Sequence, residues 1–274
     1  MSVSDETKIM AVFCDFENVA IGVREADKAQ FDIVKVLERL LLKGNIVVKK
    51  AYCDWQRYKD FKAAMHESSF ELIEIPHVRQ SGKNSADIRM VVDALDLCYT
   101  KEHVDTFVIV SGDSDFSPLV SKLRENNKTV IGVGVRHSTS DLLTANCDEF
   151  IFYDDLVQRD GRRTKKRAET RARKTAARGT KTKNEPVLDE SKQEAMDLLV
   201  ETYEALVEER GEQEKIWGSM VKQTLKRRKP GFSESHYGYR SFSELLEDAE
   251  KYKIVKLERD QKSGGYIIVD SLVS

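Results

Sequence analysis

Asp113 and Asp115 stand in Ser111-Gly-Asp-Ser-Asp-Phe116, directly after the apolar run Thr106-Phe-Val-Ile-Val110. The run reads as a strand buried on both faces. The segment after it, apolar at Phe116, Leu119, Val120 and Leu123, reads as a turn opening a helix. Two carboxylates therefore sit at a strand's carboxyl end. Asp15 and Asn18 hold a similar place in Asp15-Phe-Glu-Asn18, after the strand-like Ile9-Met-Ala-Val-Phe-Cys14, and Asp87 opens a helix after Lys83-Asn-Ser-Ala86. Carboxylates gathered from separate segments repel: unit charges about 4 Å apart cost about 4 kcal/mol at an effective dielectric of about 20. A divalent cation removes that penalty. Hard oxygen donors without histidine or cysteine select Mg²⁺ or Mn²⁺, and such a site activates water and neutralises charge on a scissile phosphate. Taken singly, each motif has a plainer reading. Asp-x-x-Asn is also a turn former, and an acid in a helix's first turn is favoured by the helix dipole by up to about 1 kcal/mol.

The elements that must position these acids alternate. Strands are expected over 9–14, 46–52, 70–75, 106–111, 129–133 and 149–152, and helices near 31–43, 56–67, 85–100, 115–127 and 139–146. Such alternation predicts an α/β fold with a parallel sheet flanked by helices, and sites on such sheets form outside the strands' carboxyl ends where strand order reverses. For Asp15 and Asp113 to meet, the first and fourth strands must be neighbours. The helix near 85–100 is expected to dock through Ile88, Val91, Val92, Leu95 and Cys98, while Asp93, four residues after Arg89, suits a solvated ion pair.

The order Asp15-x-x-Asn18, Lys83-x-x-x-Asp87 and Val110-Ser-Gly-Asp-Ser-Asp-Phe116 resembles the NYN family, the LabA-like branch of PIN-domain nucleases, over residues 8–156. The resemblance implies a PIN-like fold and metal-dependent RNA cleavage, with Asp15, Asp87, Asp113 and Asp115 as catalytic and metal-binding acids and Asn18 beside them. Arg136, in Arg136-His-Ser-Thr-Ser140, follows a strand at the same edge. It is a candidate phosphate contact, and a plain polar loop is the competing reading. A phosphatase of the Asp-x-Asp kind is disfavoured, because a glutamate, Glu17, holds the second position after the first strand.

With 274 residues, 40% of them apolar, the chain has material for two domains. Its net charge of −2 conceals an asymmetry, for residues 159–183 carry twelve Lys and Arg against two Asp and Glu. Almost without large apolar side chains, that stretch cannot form a core and reads as a basic linker. It either binds phosphates in a salt-sensitive way or serves as a solubilising tether. The division expected is therefore 1–158, a linker over 159–189, and 190–274. Four dispersed cysteines without C-x-x-C spacing read as reduced thiols. Together with the absence of a basic-then-apolar leader and of a membrane-length apolar run, this places the protein in the cytoplasm.

From Ser191 helical periodicity returns through Ala195, Leu198, Leu199, Tyr203, Leu206 and Val207, then through Ile216, Met220, Val221 and Leu225, then through Phe242, Leu245, Leu246 and Ala249. Ile254–Leu257 and Tyr266–Val269 around Lys262-Ser-Gly-Gly265 close as a hairpin. Three helices and a hairpin predict a small winged helix-turn-helix. The pattern Trp217-x-x-Met-Val-Lys, Pro230-x-Phe232 and Tyr237-Gly-Tyr-Arg-Ser-Phe242 resembles the OST-HTH (LOTUS) domain over residues 190–270, which implies RNA binding and, in some members, protein partners. Lys226, Arg227, Arg228, Lys229 and Arg240 are the candidate RNA contacts, with the amides opening the third helix as a possible phosphate seat. A solvated basic face is the alternative, and Trp217, Phe232, Tyr237 and Phe242 are expected in the core.

Overall fold

The computed structural model describes residues 7–26, 30–75, 85–158, 189–211 and 213–272, in two compact units over Met1–Arg162 and Arg163–Ser274. Lys83 and the basic segment 159–188 lie outside the described residues.

The first unit runs β1 (Lys8–Asp15), α1 (Phe16–Glu25), α2 (Ile33–Lys43), β2 (Gly44–Cys53), α3 (Lys62–Glu67), β3 (Glu71–Glu74), α4 (Ser85–Thr100), β4 (Thr106–Val110), α5 (Ser117–Glu125), β5 (Thr129–Gly134), α6 (Asp141–Asn146), β6 (Glu149–Phe152) and a helical segment, α7, over residues 153–158. All six strands pair in parallel, in the order β3-β2-β1-β4-β5-β6. Order reverses between β1 and β4, so the first and fourth strands are neighbours, as convergence of the acids requires.

Side chains alternate along each strand, and both faces are covered. Met10, Val12 and Cys14 of β1 join one core with Ile33, Val36 and Leu40 of α2. Ala11 and Phe13 join the opposite core with Met90, Ala94 and Cys98 of α4 and Leu119, Val120 and Leu123 of α5. By the same alternation Asp15 and Ser111, two residues beyond Phe13 and Ile109, fall on the face that α4 covers.

Two local expectations change. The stretch after β1 is a ten-residue helix, α1, with Asp15 as its N-cap; the Asp-x-x-Asn signature read as a turn is the capped start of that helix. Helix α4 docks through Met90, Ala94 and Cys98, with Val91 and Leu95 packed against the same core as expected, whereas Ile88 and Val92, also expected to face the sheet, are 62% and 55% exposed. The apolar residues of α4 form two adjacent stripes, and spacing alone does not say which one meets the sheet.

The second unit contains α8 (Glu190–Arg210), β7 (Ile216–Trp217), α9 (Gly218–Arg228), α10 (Phe242–Lys251), β8 (Val255–Arg259) and β9 (Tyr266–Ser271). The helices are closed by an antiparallel sheet in the order β7-β9-β8, giving the winged helix-turn-helix arrangement. Ile216 and Trp217, read as helical, instead pair with Ile268 and Ile267. Phe232, Tyr237 and Phe242 are core residues, and Trp217 is half-buried. Asp260 accepts hydrogen bonds from the Ser263 amide (2.8 Å) and hydroxyl (2.7 Å) to tie the hairpin turn, where Gly264 takes φ +70°.

Candidate active site and nucleic-acid contacts

The ends of β1 and β4 are tied to each other by side chains of the acidic motifs. Asp15 is 8% exposed; its Oδ2 accepts a hydrogen bond from Ser111 Oγ at 3.0 Å, and its Oδ1 accepts from the Asn18 amide at 3.3 Å. Asn18 Oδ1 accepts from the Gly112 amide at 2.9 Å, so this side chain fastens the β4 loop to α1. Ser111 Oγ also accepts from the Asp113 amide at 3.2 Å, and Asp113 Oδ1 caps the 3₁₀ turn Ser114–Phe116 by accepting from the Asp115 amide at 2.9 Å. The loop after β5 lies over this one. A Cβ on Gly112 would stand 2.5 Å from the Ser138 carbonyl oxygen and 2.9 Å from Thr139 Cα, which is why glycine occupies the centre of the motif.

Asp87 reaches the same corner from α4. It precedes Met90, Ala94 and Cys98 by three, seven and eleven residues, the stripe that meets the sheet, so its position turns it toward the ends of β1 and β4. Burial pushes the Asp15 carboxyl up to about 7, helped by repulsion from Asp87 and Asp113 and opposed by the Asn18 amide and the Ser111 hydroxyl. Burial likewise raises Asp87 to about 6, with repulsion from Asp113, Asp115 and Glu17 added. The four acids singled out in the sequence thus share one electrostatic neighbourhood. Two participants were not singled out there. Glu17 joins the acidic field while paired with Arg57 at 3.0 Å, and Ser111 bridges Asp15 and the Asp113 amide. The signal for Ser111 was present, since a hydroxyl at a buried strand's end must find a partner.

Among the described residues, no three Asp, Glu, His or Cys side chains stand close enough to hold one ion between them as placed. The donor chemistry still fits Mg²⁺ or Mn²⁺. The acids are hard oxygen donors that repel one another, and Mg²⁺ keeps several waters and needs only one or two carboxylates. Asp93 is accounted for otherwise: it pairs with Arg89 (3.0 Å) and Lys50 (3.4 Å) and accepts from the Tyr52 hydroxyl (2.9 Å). Beside the acids lies an open cleft of about 710 Å³, bounded by Asp87, Ile88 and Val92 of α4, Asp115 of the β4–α5 turn, Ser117 at the start of α5, and Leu142 of α6.

The basic candidates are placed unevenly. Arg136 gives both Asp155 oxygens a hydrogen bond (3.2 and 3.0 Å) and stacks 4.0 Å over the Phe152 ring, so a phosphate would have to compete with that pair. Arg228 has a side chain only 7% exposed and pairs with Glu201 at 3.1 Å, which makes it a packing element of its own unit. Arg227 is half-buried and donates to Thr224 Oγ1 at 2.9 Å. Lys226, Lys229 and Arg240 are exposed. At the opening of α10, Ser241 Oγ accepts from the Glu244 amide (3.2 Å), and Glu244 Oε2 accepts from the Arg240 amide (2.6 Å). That reciprocal cap occupies one of the helix's opening amides and sets a carboxylate beside it, with which a phosphate would have to compete.

A doubly wound parallel sheet with acids at its switch point, followed by a winged helix unit, is the architecture of a PIN-like nuclease domain joined to an OST-HTH domain. The chain belongs to the NYN family, within the PIN-like nuclease superfamily: the NYN domain model matches residues 9–154 and the OST-HTH/LOTUS domain model matches residues 186–267. An uncharacterized protein of Methanocaldococcus jannaschii, MJ0482, is 28% identical over 136 residues, 50% of this chain and 53% of that protein. The chain thus spans about half the length of this curated relative. The crystal structure of a protein of unknown function, VPA0982 from Vibrio parahaemolyticus RIMD 2210633, is 29% identical with a TM-score of 0.49, covering 56% of this chain and 97% of that one. Among the described residues, no helix is long and apolar enough to cross a membrane.

Proposed function

We propose that the chain is a metal-dependent ribonuclease that cuts RNA internally, with Asp15, Asp87, Asp113 and Asp115 as its acidic centre. The observation that carries this reading is the gathering of Asp15, Asp87 and Asp113 around the ends of β1 and β4, where burial first and mutual repulsion second raise the Asp15 and Asp87 carboxyls toward neutrality. A fold does not concentrate like charge at its switch point without a stability cost, and a hard divalent cation offsets it. When bound, Mg²⁺ or Mn²⁺ neutralises charge on the scissile phosphate and lowers the pKa of water at the site. Asp15 and Asp113 hold their oxygens in place through Ser111 and the capped turn, so little side-chain freedom is lost when the centre is loaded. Asp87 and Asp115 border the open cleft and face an arriving strand. Membership of the PIN-like superfamily, whose nucleases generally use divalent metals, supports the same reading.

RNA is recruited in this proposal by the OST-HTH unit through Lys226, Lys229 and Arg240, with Arg227 at the edge of that face and the basic segment 159–189 as a phosphate-binding tether. The OST-HTH unit is also the proposed seat of any protein partner. We place the protein in the cytoplasm, which agrees with four free cysteines, three of them buried. The experiment that tests the activity is incubation of wild type, Asp15→Asn and Asp113→Asn with end-labelled single- and double-stranded RNA and DNA, with Mg²⁺, Mn²⁺ or chelator. Metal-dependent internal cuts by wild type, lost in both variants, are expected; cutting by Asp113→Asn at the wild-type rate overturns the assignment.

A second reading, an RNA-binding adaptor or regulator without cleavage, is favoured by the lack of three acids close enough to share an ion among the described residues. RNA affinity without cutting in any metal selects it.

A further inference from the structure

Helix α4 carries more apolar surface than the sheet covers. Met90, Ala94 and Cys98 are buried, Val91 and Leu95 pack beside them, and Ile88 and Val92 stand in solvent. At about 100° per residue, Val91 and Leu95 lie between the other two groups, so the apolar band runs unbroken round roughly half of the helix. A band this wide fits a sheet at more than one rotation, because apolar contact has no direction of its own. Asp93 supplies the direction. It lies on the flank of the band away from Ile88 and Val92, its side chain is 12% exposed, and three donors converge on it. The Tyr52 hydroxyl donates to Oδ2 at 2.9 Å, Lys50 Nζ reaches the same oxygen at 3.4 Å, and Arg89 Nε donates to Oδ1 at 3.0 Å. Lys50 and Tyr52 are two residues apart on β2 and share the face that α4 covers. Tyr52 is buried, so its hydroxyl depends on this acceptor, and in the register of β1 with β2 it stands opposite Asp15.

We propose that Asp93 is a positioning residue: its bonds to Tyr52 and Lys50 hold α4 at the rotation that keeps Asp87 at the acidic centre. A roll of the helix that buried Ile88 and Val92 would lift Asp93 away from β2 and withdraw Asp87 from the ends of β1 and β4. The fit of Met90 and Ala94 selects the face of the helix, and the hydrogen bonds fix its angle. The pair with Arg89 lies within the helix and would survive the roll, so it contributes nothing to the lock. The lock itself is a matter of packing, whereas its consequence for a bound ion rests on the metal-dependent reading above.

The test uses the full chain with Ile88→Cys as a reporter, alone and combined with Asp93→Ala, Tyr52→Phe or Arg89→Ala, each checked for unaltered circular dichroism. Two quantities are read: the rate at which iodoacetamide alkylates the thiol at position 88, followed by peptide mass spectrometry, and the affinity for Mn²⁺ by electron paramagnetic resonance. Asp93→Ala is expected to slow alkylation several-fold, as the roll buries position 88, and to weaken Mn²⁺ binding by about tenfold, the lower end of what losing a ligand's supporting contact costs. Tyr52→Phe, which removes one oxygen and keeps the ring, should do both in smaller measure, and it carries the test alone if Asp93→Ala does not fold. Arg89→Ala should change neither. Alkylation at the unaltered rate in Asp93→Ala and Tyr52→Phe overturns the proposal even where the melting temperature falls, for Asp93 is then a stabilising contact alone. An equal effect of Arg89→Ala overturns it too, and slowed alkylation with Mn²⁺ affinity intact overturns the link to Asp87. Failure of the metal reading shows separately, as a reporter protein that binds no Mn²⁺ while Asp93→Ala still slows alkylation.

Discussion

Ser111 Oγ donates to Asp15 Oδ2 across 3.0 Å while accepting from the Asp113 amide at 3.2 Å. One hydroxyl thus joins two acids that lie 98 positions apart in the chain. It supplies a donor to the carboxylate most in need of one and fixes the loop that carries Asp113.

Ser111→Ala should therefore destabilise the protein by about 1–3 kcal/mol, because it leaves Asp15 buried with one partner fewer. Urea denaturation of the two proteins at neutral pH measures the difference. A variant as stable as wild type would mean that the bond contributes nothing net.

The acidic corner makes stability depend on pH in a definite direction. The folded state holds the Asp15 proton more tightly than the unfolded chain, with a carboxyl at about 7 against an ordinary 3.8. Its contribution is fully present below about pH 4 and is lost as pH rises through about 7. Between pH 5.5 and pH 8 the loss is on the order of 2 kcal/mol, with the half-buried Asp87 adding in the same direction. In chelator the urea midpoint should fall across this interval, and Asp15→Asn should flatten the fall. A midpoint that rises with pH in chelator contradicts the placement of Asp15.

The same repulsion predicts a response to ions without reference to cleavage. At pH 8, millimolar Mn²⁺ should raise the melting temperature of wild type and chelator should reverse it, because an ion that binds only the folded state stabilises it by mass action. The double variant Asp15→Asn/Asp113→Asn should lose most of the response. An equal shift in both proteins would place the ion elsewhere.

Gly112→Ala should cost about 1–3 kcal/mol through overpacking, since the new methyl meets the backbone of Ser138 and Thr139 and not a side chain that can swing away. A melting curve superimposable on wild type would contradict the packing of the two loops.

The basic residues of α9 should separate into two kinds. Arg228→Ala breaks the pair with Glu201 and should destabilise the OST-HTH unit by about 1.5–3 kcal/mol. Lys226→Ala/Lys229→Ala should leave stability unchanged and reduce the salt dependence of RNA binding by about 0.7 per lost contact in log–log slope. Fluorescence anisotropy over a salt series, beside thermal melts, distinguishes them.

The order of residues alone makes local features legible. Alternating apolar runs set all six strands of the first unit and most of its helices within a few residues, because strand and helix periods are properties of neighbouring side chains. Asp15 and Asp113 were placed at strand ends by the residues on either side of them. The ten-residue α1 escaped notice because its signal was a cap, Asp15 with the Asn18 amide, and a cap resembles a turn until the helix behind it is seen. Long-range packing settles the rest. That β1 lies beside β4 is a matter of strand order, which no local pattern encodes. Which stripe of α4 meets the sheet was settled by the fit of Met90 and Ala94 against Phe13 and Phe107, and that choice turned Asp87 toward the acids and Ile88 toward the solvent. Arg228 and Lys229 are adjacent in the chain and basic alike, yet one turns to Glu201 and the other to water. A partner supplied by a distant helix is visible only once the chain has folded.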